Sequence, residues 1–265
     1  MRQMEIAGFI AALIIGVVLG LIGGGGSILT VPVFVYLLGI DPMQATAYSL
    51  FVVGLTALTG AIRNSTKGLI DYKVAILFSI PAFIAVYIAR KYIMPALPDT
   101  LFTLGGYEVS KDFGIMVFFA IIMLLAAFSM IRNKKDELDQ KKEVKGKAFW
   151  VILEGAGVGL LTGIVGAGGG FLIIPALVLL AGLPMKKAVA TSLLIIAVKS
   201  LIGFIGDVEN LQIDWMFLLK FSAFSIIGIF LGIYLNKWIE GKKLKKAFGY
   251  FVLVMAIFII YKEVG

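Results

Sequence analysis

Apolar runs fill the 265-residue chain almost end to end, separated by short polar loops. Ten stand out, at roughly 5–22, 28–39, 44–62, 72–93, 113–131, 148–165, 171–182, 187–206, 214–236 and 245–262. A helix rises about 1.5 Å per residue and needs about 20 apolar residues to cross a hydrocarbon core of about 30 Å. Most of the runs meet that length, so the pattern predicts an all-α polytopic membrane protein in a five-plus-five order. The second and seventh runs are shorter, about 18 Å each as helix, and predict re-entrant pieces or halves of broken helices.

The two fives are copies of one unit. Gly16 to Tyr72 aligns without a gap with Gly159 to Trp215, a constant offset of 143. The register matches Gly16/Gly159, Gly20/Gly163, Gly23/Gly166, Gly25/Gly168, Gly26/Gly169, Pro32/Pro175, Gly39/Gly182, Ser49/Ser192 and Asp71/Asp214. Apolar bias aligns Leu with Val by chance, but not a series of glycines, a proline and an aspartate. The chain therefore divides into a first repeat (1–132), a basic linker (133–147) and a second repeat (148–265). Repeats of this kind are the usual build of secondary transporters, with the binding site at the repeat interface.

Each short segment follows a glycine run: Gly23, Gly24, Gly25 and Gly26 before Ser27, and Gly166, Ala167, Gly168, Gly169 and Gly170. Glycine costs about 1 kcal/mol against alanine inside a helix. Several in succession break the helix and expose backbone N–H groups, tolerated at membrane depth only inside protein or along a wet cavity. The short helices then begin with unpaired N–H groups and positive dipole ends, a geometry that favours an anion. The spaced glycines Gly16/Gly20 and Gly159/Gly163 predict close helix packing instead. Neither run is a nucleotide loop, since GxxxxGK[ST] is absent.

Composition supports the membrane reading: 60% of residues are hydrophobic and 15% charged, against about 45–50% and about 25% in soluble domains. The net charge of +8 sits in loops, where it sets topology, so no nucleic-acid partner is expected. Counting the short segments as crossings places Arg63, Lys67, Lys73, Lys186, Lys187 and the clusters 132–147 and 237–246 on one side. Arg2, Arg90, Lys91, Lys111 and Lys262 fall on the other. That asymmetry predicts a cytoplasmic linker, extracytoplasmic termini and a second repeat inverted relative to the first. Ile6–Leu21 aligns with Phe149–Ile164 inside the chain and is expected to be a retained helix, not a leader. With no Cys and no His, thiol chemistry, haem ligation and the usual zinc and copper sites are not expected, nor is any cofactor.

Few polar residues lie deep in the apolar runs. Lys199 falls twelve residues into the eighth segment, opposite Thr56 in the first repeat; a buried cation marks a pathway or a pair. Lys220 lies close enough to a segment end to snorkel. Glu154 is the acidic candidate for coupling to a proton or sodium ion. Asp71 and Asp214 open segments four and nine as helix N-caps. Ser49, Ser192 and Thr191 carry hydroxyls near the junctions, and Trp150, Trp215, Trp238, Tyr72 and Tyr92 read as interface anchors.

The sequence GIVGAGGGFLIIPAL followed by AVATSL, with first-half counterparts GLIGGGGSILTVPVF and ATAYSL, resembles the sulfite exporter TauE/SafE family of membrane transport proteins. The resemblance covers roughly residues 8 to 262. It implies export of sulfite or a sulfur-containing organic anion, driven by an ion gradient, through a site at Gly23–Ser27, Gly166–Gly170, Thr191 and Ser192. The first copy carries Tyr48 where the second has Thr191. Lys199 and Ser49 join the set by depth and symmetry. A passive anion channel, or a transporter of a cation or neutral solute held by helix C-termini and glycine carbonyls, stands as the alternative. An intramembrane enzyme lacks the His, Cys or paired carboxylates that its chemistry needs.

Overall fold

The computed structural model describes residues 2–93, 96, 98, 100–104, 107–132, 147–165, 170–208 and 211–264. The first repeat runs α1 (Arg2–Ile22), a 3₁₀ turn (Gly24–Gly26), α2 (Ser27–Pro32) with a π-helical turn (Val33–Leu37), α3 (Pro42–Ser65), α4 (Tyr72–Ile88) with a π turn (Ala89–Ile93), and α5 (Lys111–Arg132). The second runs α6 (Lys147–Val165), α7 (Gly170–Pro175) with a π turn (Ala176–Leu180), α8 (Met185–Val208), α9 (Trp215–Asn236) and α10 (Gly241–Val264). All ten apolar segments are helical. Of the basic linker, only Lys147, which opens α6, lies among the described residues. One feature lies outside the ten apolar runs: a two-stranded antiparallel hairpin, β1 (Thr100–Leu104) and β2 (Tyr107–Ser110), between α4 and α5.

The repeat is visible in local chemistry as well as in sequence. Asp71 accepts from Val74 N–H at 3.0 Å and Asp214 from Phe217 N–H at 3.0 Å, so both fourth helices start on the expected cap. Pro32 and Pro175 end their α-helical turns, because proline offers no N–H and crowds the carbonyl four residues back; a wider π turn follows each. Both short helices then close on a left-handed glycine, Gly39 at φ +66° and Gly182 at φ +68°. Beyond it, Ile40 N–H reaches Phe34 O at 2.9 Å and Leu183 N–H reaches Leu177 O at 2.8 Å.

Packing crosses between the repeats. α1 lies on α9 and α4 on α6, while α3 packs on α8 and α5 on α10. First and fourth helices thus exchange partners, and third and fifth helices pair with their own counterparts. The α1–α9 contact is made backbone to backbone. A methyl on Gly16 would overlap the Ser225 carbonyl, one on Gly228 the Leu13 carbonyl, and one on Gly232 the Val17 carbonyl. On α6, Gly155 and Gly159 meet Phe78 and Ala82 of α4 the same way. Small residues let membrane helices approach where no hydrophobic force separates helix from lipid.

The interior holds Phe34, Phe78, Phe221, Phe248, Ile15 and Leu19, all fully buried. On the outside, Ile76, Ile80 and Ile84 form a stripe along α4, each more than half exposed. Apolar surface of that extent is a lipid-facing surface. Four helical stretches among the described residues are long and apolar enough to cross a bilayer: Gln44–Ser65, Met185–Ile205, Trp215–Asn236 and Gly241–Tyr261.

Candidate functional site

α1 ends where Gly23 N–H reaches back to Leu19 O at 2.7 Å. Gly23 itself takes φ +73°, ψ −117°, a conformation closed to other residues without strain, and this reverses the chain into the 3₁₀ turn. No side chain caps that turn. The N–H groups of Gly24 and Gly25 therefore stand at the open start of the short helix, while that of Gly26 closes the 3₁₀ turn itself. Ser27 donates to Gly24 O at 2.6 Å and Thr30 to Gly26 O at 3.2 Å, so both hydroxyls stitch the turn together. Ser27 is 5% exposed, so this helix start is inside the protein.

The two short helices meet. A methyl placed on Gly170, at the start of α7, would lie 3.0 Å from Ser27 Oγ, and one on Gly23 would lie 2.6 Å from Ser192 Oγ. The start of α2 thus faces the start of α7, and the first junction backs onto α8. Gly166, Gly168 and Gly169 lie outside the described residues. Ser192 donates to Val189 O at 2.9 Å. Its counterpart Ser49 is also buried, at 6% exposure.

Thr191 is fully buried and accepts from the Asp71 backbone N–H at 3.0 Å. At the matching position Tyr48 accepts from Asp214 N–H at 2.8 Å. The residue that departs between the copies does the same mechanical job in both: it ties the cap of a fourth helix to a third helix of the other repeat. Gln44 adds a bond to Tyr48 Oη at 3.0 Å and one to Gln212 O at 2.8 Å. The Tyr48 ring packs against Phe34 and Phe217, each with centroids 6.1 Å away. In sequence Tyr48 stood out only as a departure from Thr191; the signal for a shared role was a second hydroxyl at an aligned position. Tyr48→Phe keeps the ring but strands a part-buried N–H of Asp214, so it is expected to cost about 0.5–1.5 kcal/mol, read as a lower melting temperature in detergent. Unchanged melting would show that the bond contributes nothing.

The deep charges fall in separate places. Lys199 is half-buried midway along α8, and Thr56, its aligned partner, is fully buried with a hydroxyl that finds no partner among the described residues. Lys220 is exposed on α9. Glu154 is half-buried on α6, one carboxylate oxygen enclosed and without a hydrogen-bond partner among the described residues. No cluster of three or more acidic residues that could hold a metal occurs among the described residues.

The family model described as Sulfite exporter TauE/SafE matches residues 8–259. Among curated proteins, the chain is 26% identical over 253 residues to a probable membrane transporter protein of Xylella fastidiosa, covering 94% of this chain and 92% of the relative. It is 27% identical over 276 residues to the probable membrane transporter protein YunE of Bacillus subtilis, covering 96% and 97%. A probable membrane transporter protein of Methanocaldococcus jannaschii is 26% identical over 265 residues, covering 95% and 93%. No solved structure matches the chain. A match that takes in both glycine junctions and all ten helices leaves one conclusion: the chain belongs to the sulfite exporter TauE/SafE family of membrane transporters.

Proposed function

We propose that the protein is a secondary transporter that exports a small sulfur-containing anion, sulfite or an organosulfonate, by alternating access between two inverted repeats. The observation that carries this reading is the meeting of the two short helices at Ser27 and Gly170, with uncapped glycine N–H groups at the start of the first. Helix starts of this kind stabilise negative charge without carrying a counter-charge that would trap the substrate. Gly23–Ser27, Gly166–Gly170, Ser49, Thr191, Ser192 and Lys199 form the proposed substrate path. The backbone donors and Lys199 contact the anion, while Thr191 holds the scaffold through Asp71. Glu154 is the proposed coupling group, because an enclosed carboxylate oxygen without a partner gains from taking up a proton or sodium ion. The termini lie outside the cell membrane and the linker in the cytoplasm.

The test is uptake of labelled sulfite into proteoliposomes, with and without a pH gradient, and with sulfate, thiosulfate and acetate as competitors. Accumulation against a concentration gradient is expected. Flux that only equilibrates would mean a channel, and no flux would remove sulfite as substrate. Lys199→Gln is expected to cut flux at least about tenfold, the factor for about 1.4 kcal/mol. Wild-type flux in that variant would take Lys199 out of the path.

A further inference from the structure

A cavity of about 230 Å³ opens at the loop ends of α3, α8 and α9, lined by Lys67, Lys186 and Lys237 at its rim and by Asn64, Asn236, Gly20 and Val189 deeper in. From this lining we infer that the cavity is a loading vestibule that binds a hydrated small oxyanion on the cytoplasmic face before it enters the glycine junction. The inference rests on the transport reading for its direction and on that reading's topology for its side.

None of the three lysines has a carboxylate partner among the described residues. Burial, and then the charges of Lys237 and Arg63, pull the Lys67 ammonium below its usual range. Unrelieved like charge around a cavity is relieved by an anion. Asn64 is 5% exposed and its amide has no hydrogen-bond partner among the described residues. An amide that lines a cavity is a ready donor to a ligand held there. Asn236 is held in place by its bond to Leu21 O at 2.7 Å.

Position ties the cavity to the junction. Val189, in its wall, accepts the Ser192 hydroxyl at 2.9 Å, and its carbonyl lies 3.3 Å from where a methyl on Gly23 would sit. The volume decides how the anion is held: at about 30 Å³ per water, an oxyanion enters with several waters and is not stripped of them. Capture is therefore electrostatic, weak and sensitive to salt.

The repeat supplies an internal control. In sequence the aligned positions are Met43 for Lys186, Asn210 for Lys67 and Asp207 for Asn64, with Glu209 adjacent in the chain. One mouth is cationic and its sequence counterpart is neutral to acidic.

The test compares wild type with the triple variant Lys67→Gln/Lys186→Gln/Lys237→Gln and with Lys187→Gln/Lys243→Gln/Lys246→Gln, which removes the same charge from the same face away from the cavity. In detergent, stabilisation against heating by sulfite and by sulfate is measured at constant ionic strength. In oriented vesicles, the KM for sulfite is measured from each face. Both anions are expected to stabilise wild type and the second variant but not the first. The first variant should raise KM about tenfold from the lysine face alone, with kcat unchanged. Equal stabilisation of all three proteins, or an equal rise in KM in both variants, would overturn the vestibule. If wild type carries no sulfite but stabilisation is still lost only in the first variant, the vestibule stands and the transport reading falls.

Discussion

Gly16→Leu is expected to leave no monodisperse, folded protein, whereas Gly157→Leu is expected to purify and melt like wild type. Both glycines are helical, and both substitutions add the same side chain to an apolar helix. They differ in what the side chain meets. At Gly16 even a methyl overlaps the Ser225 carbonyl and lies 2.9 Å from Ile229 N, while at Gly157 nothing lies within 4 Å. Overpacking usually costs about 1–3 kcal/mol because neighbouring side chains can rotate away. Here the neighbours are backbone atoms of Ser225 and Ile229 on α9, so only separation of the two helices gives relief. That separation removes packing along the whole seam, and the cost lies at or above the upper end of that range. The Gly157 variant should stay within about 0.5 kcal/mol. Size-exclusion profiles and thermal melts of the pair decide the matter; a Gly16→Leu protein that melts like wild type would mean that α1 and α9 do not meet as described.

Gly23→Ala is expected to abolish transport while leaving most of the fold in place. A methyl there would lie 2.6 Å from Ser192 Oγ and 2.9 Å from Ile174 Cδ1, and the backbone stands at φ +73°, ψ −117°. Strain of that kind costs about 1–3 kcal/mol, relieved by turning the following 3₁₀ turn away from α7. The turn carries the open N–H groups of Gly24 and Gly25, so a small rotation spoils the site while the ten helices stay packed. Adding Ser192→Ala removes the nearest obstacle. The double variant should regain part of the lost melting temperature but not the flux, because the backbone strain persists. Wild-type flux in Gly23→Ala would remove the junction from the substrate path.

Both predictions start from glycines that could be picked out before any coordinates. Their spacing separated two jobs: glycines four apart for packing, consecutive glycines for a broken helix. The caps Asp71 and Asp214 were equally legible, because an aspartate before an apolar run has one dominant local use. Thr191 and Tyr48 were not. A hydroxyl inside a helix can donate to its own turn, to a ligand or to another element, and only the position of the α4 and α9 starts shows that these two accept from Asp71 and Asp214. The hairpin at 100–110 was legible, since Gly105 and Gly106 separate two β-prone stretches by two residues, but strands of five and four residues fall outside a pattern of membrane-length apolar runs.

The lysine-lined cavity lies beyond sequence reading for a different reason. Lys67, Lys186 and Lys237 read in sequence as ordinary loop charges that set topology, and they are 119 and 51 positions apart along the chain. What the sequence determined by itself was every property set by near neighbours: helix length, apolar period, caps, breaks and the internal copy that repeats them. The tertiary structure alone decided which repeat's helices exchange partners, that Ser27 faces Gly170, and that three distant lysines share one cavity. The physical reason is that membrane helices all present the same apolar surface to lipid. Partner choice therefore rests on steric fit between small residues on different segments, and that fit does not exist until the segments are side by side.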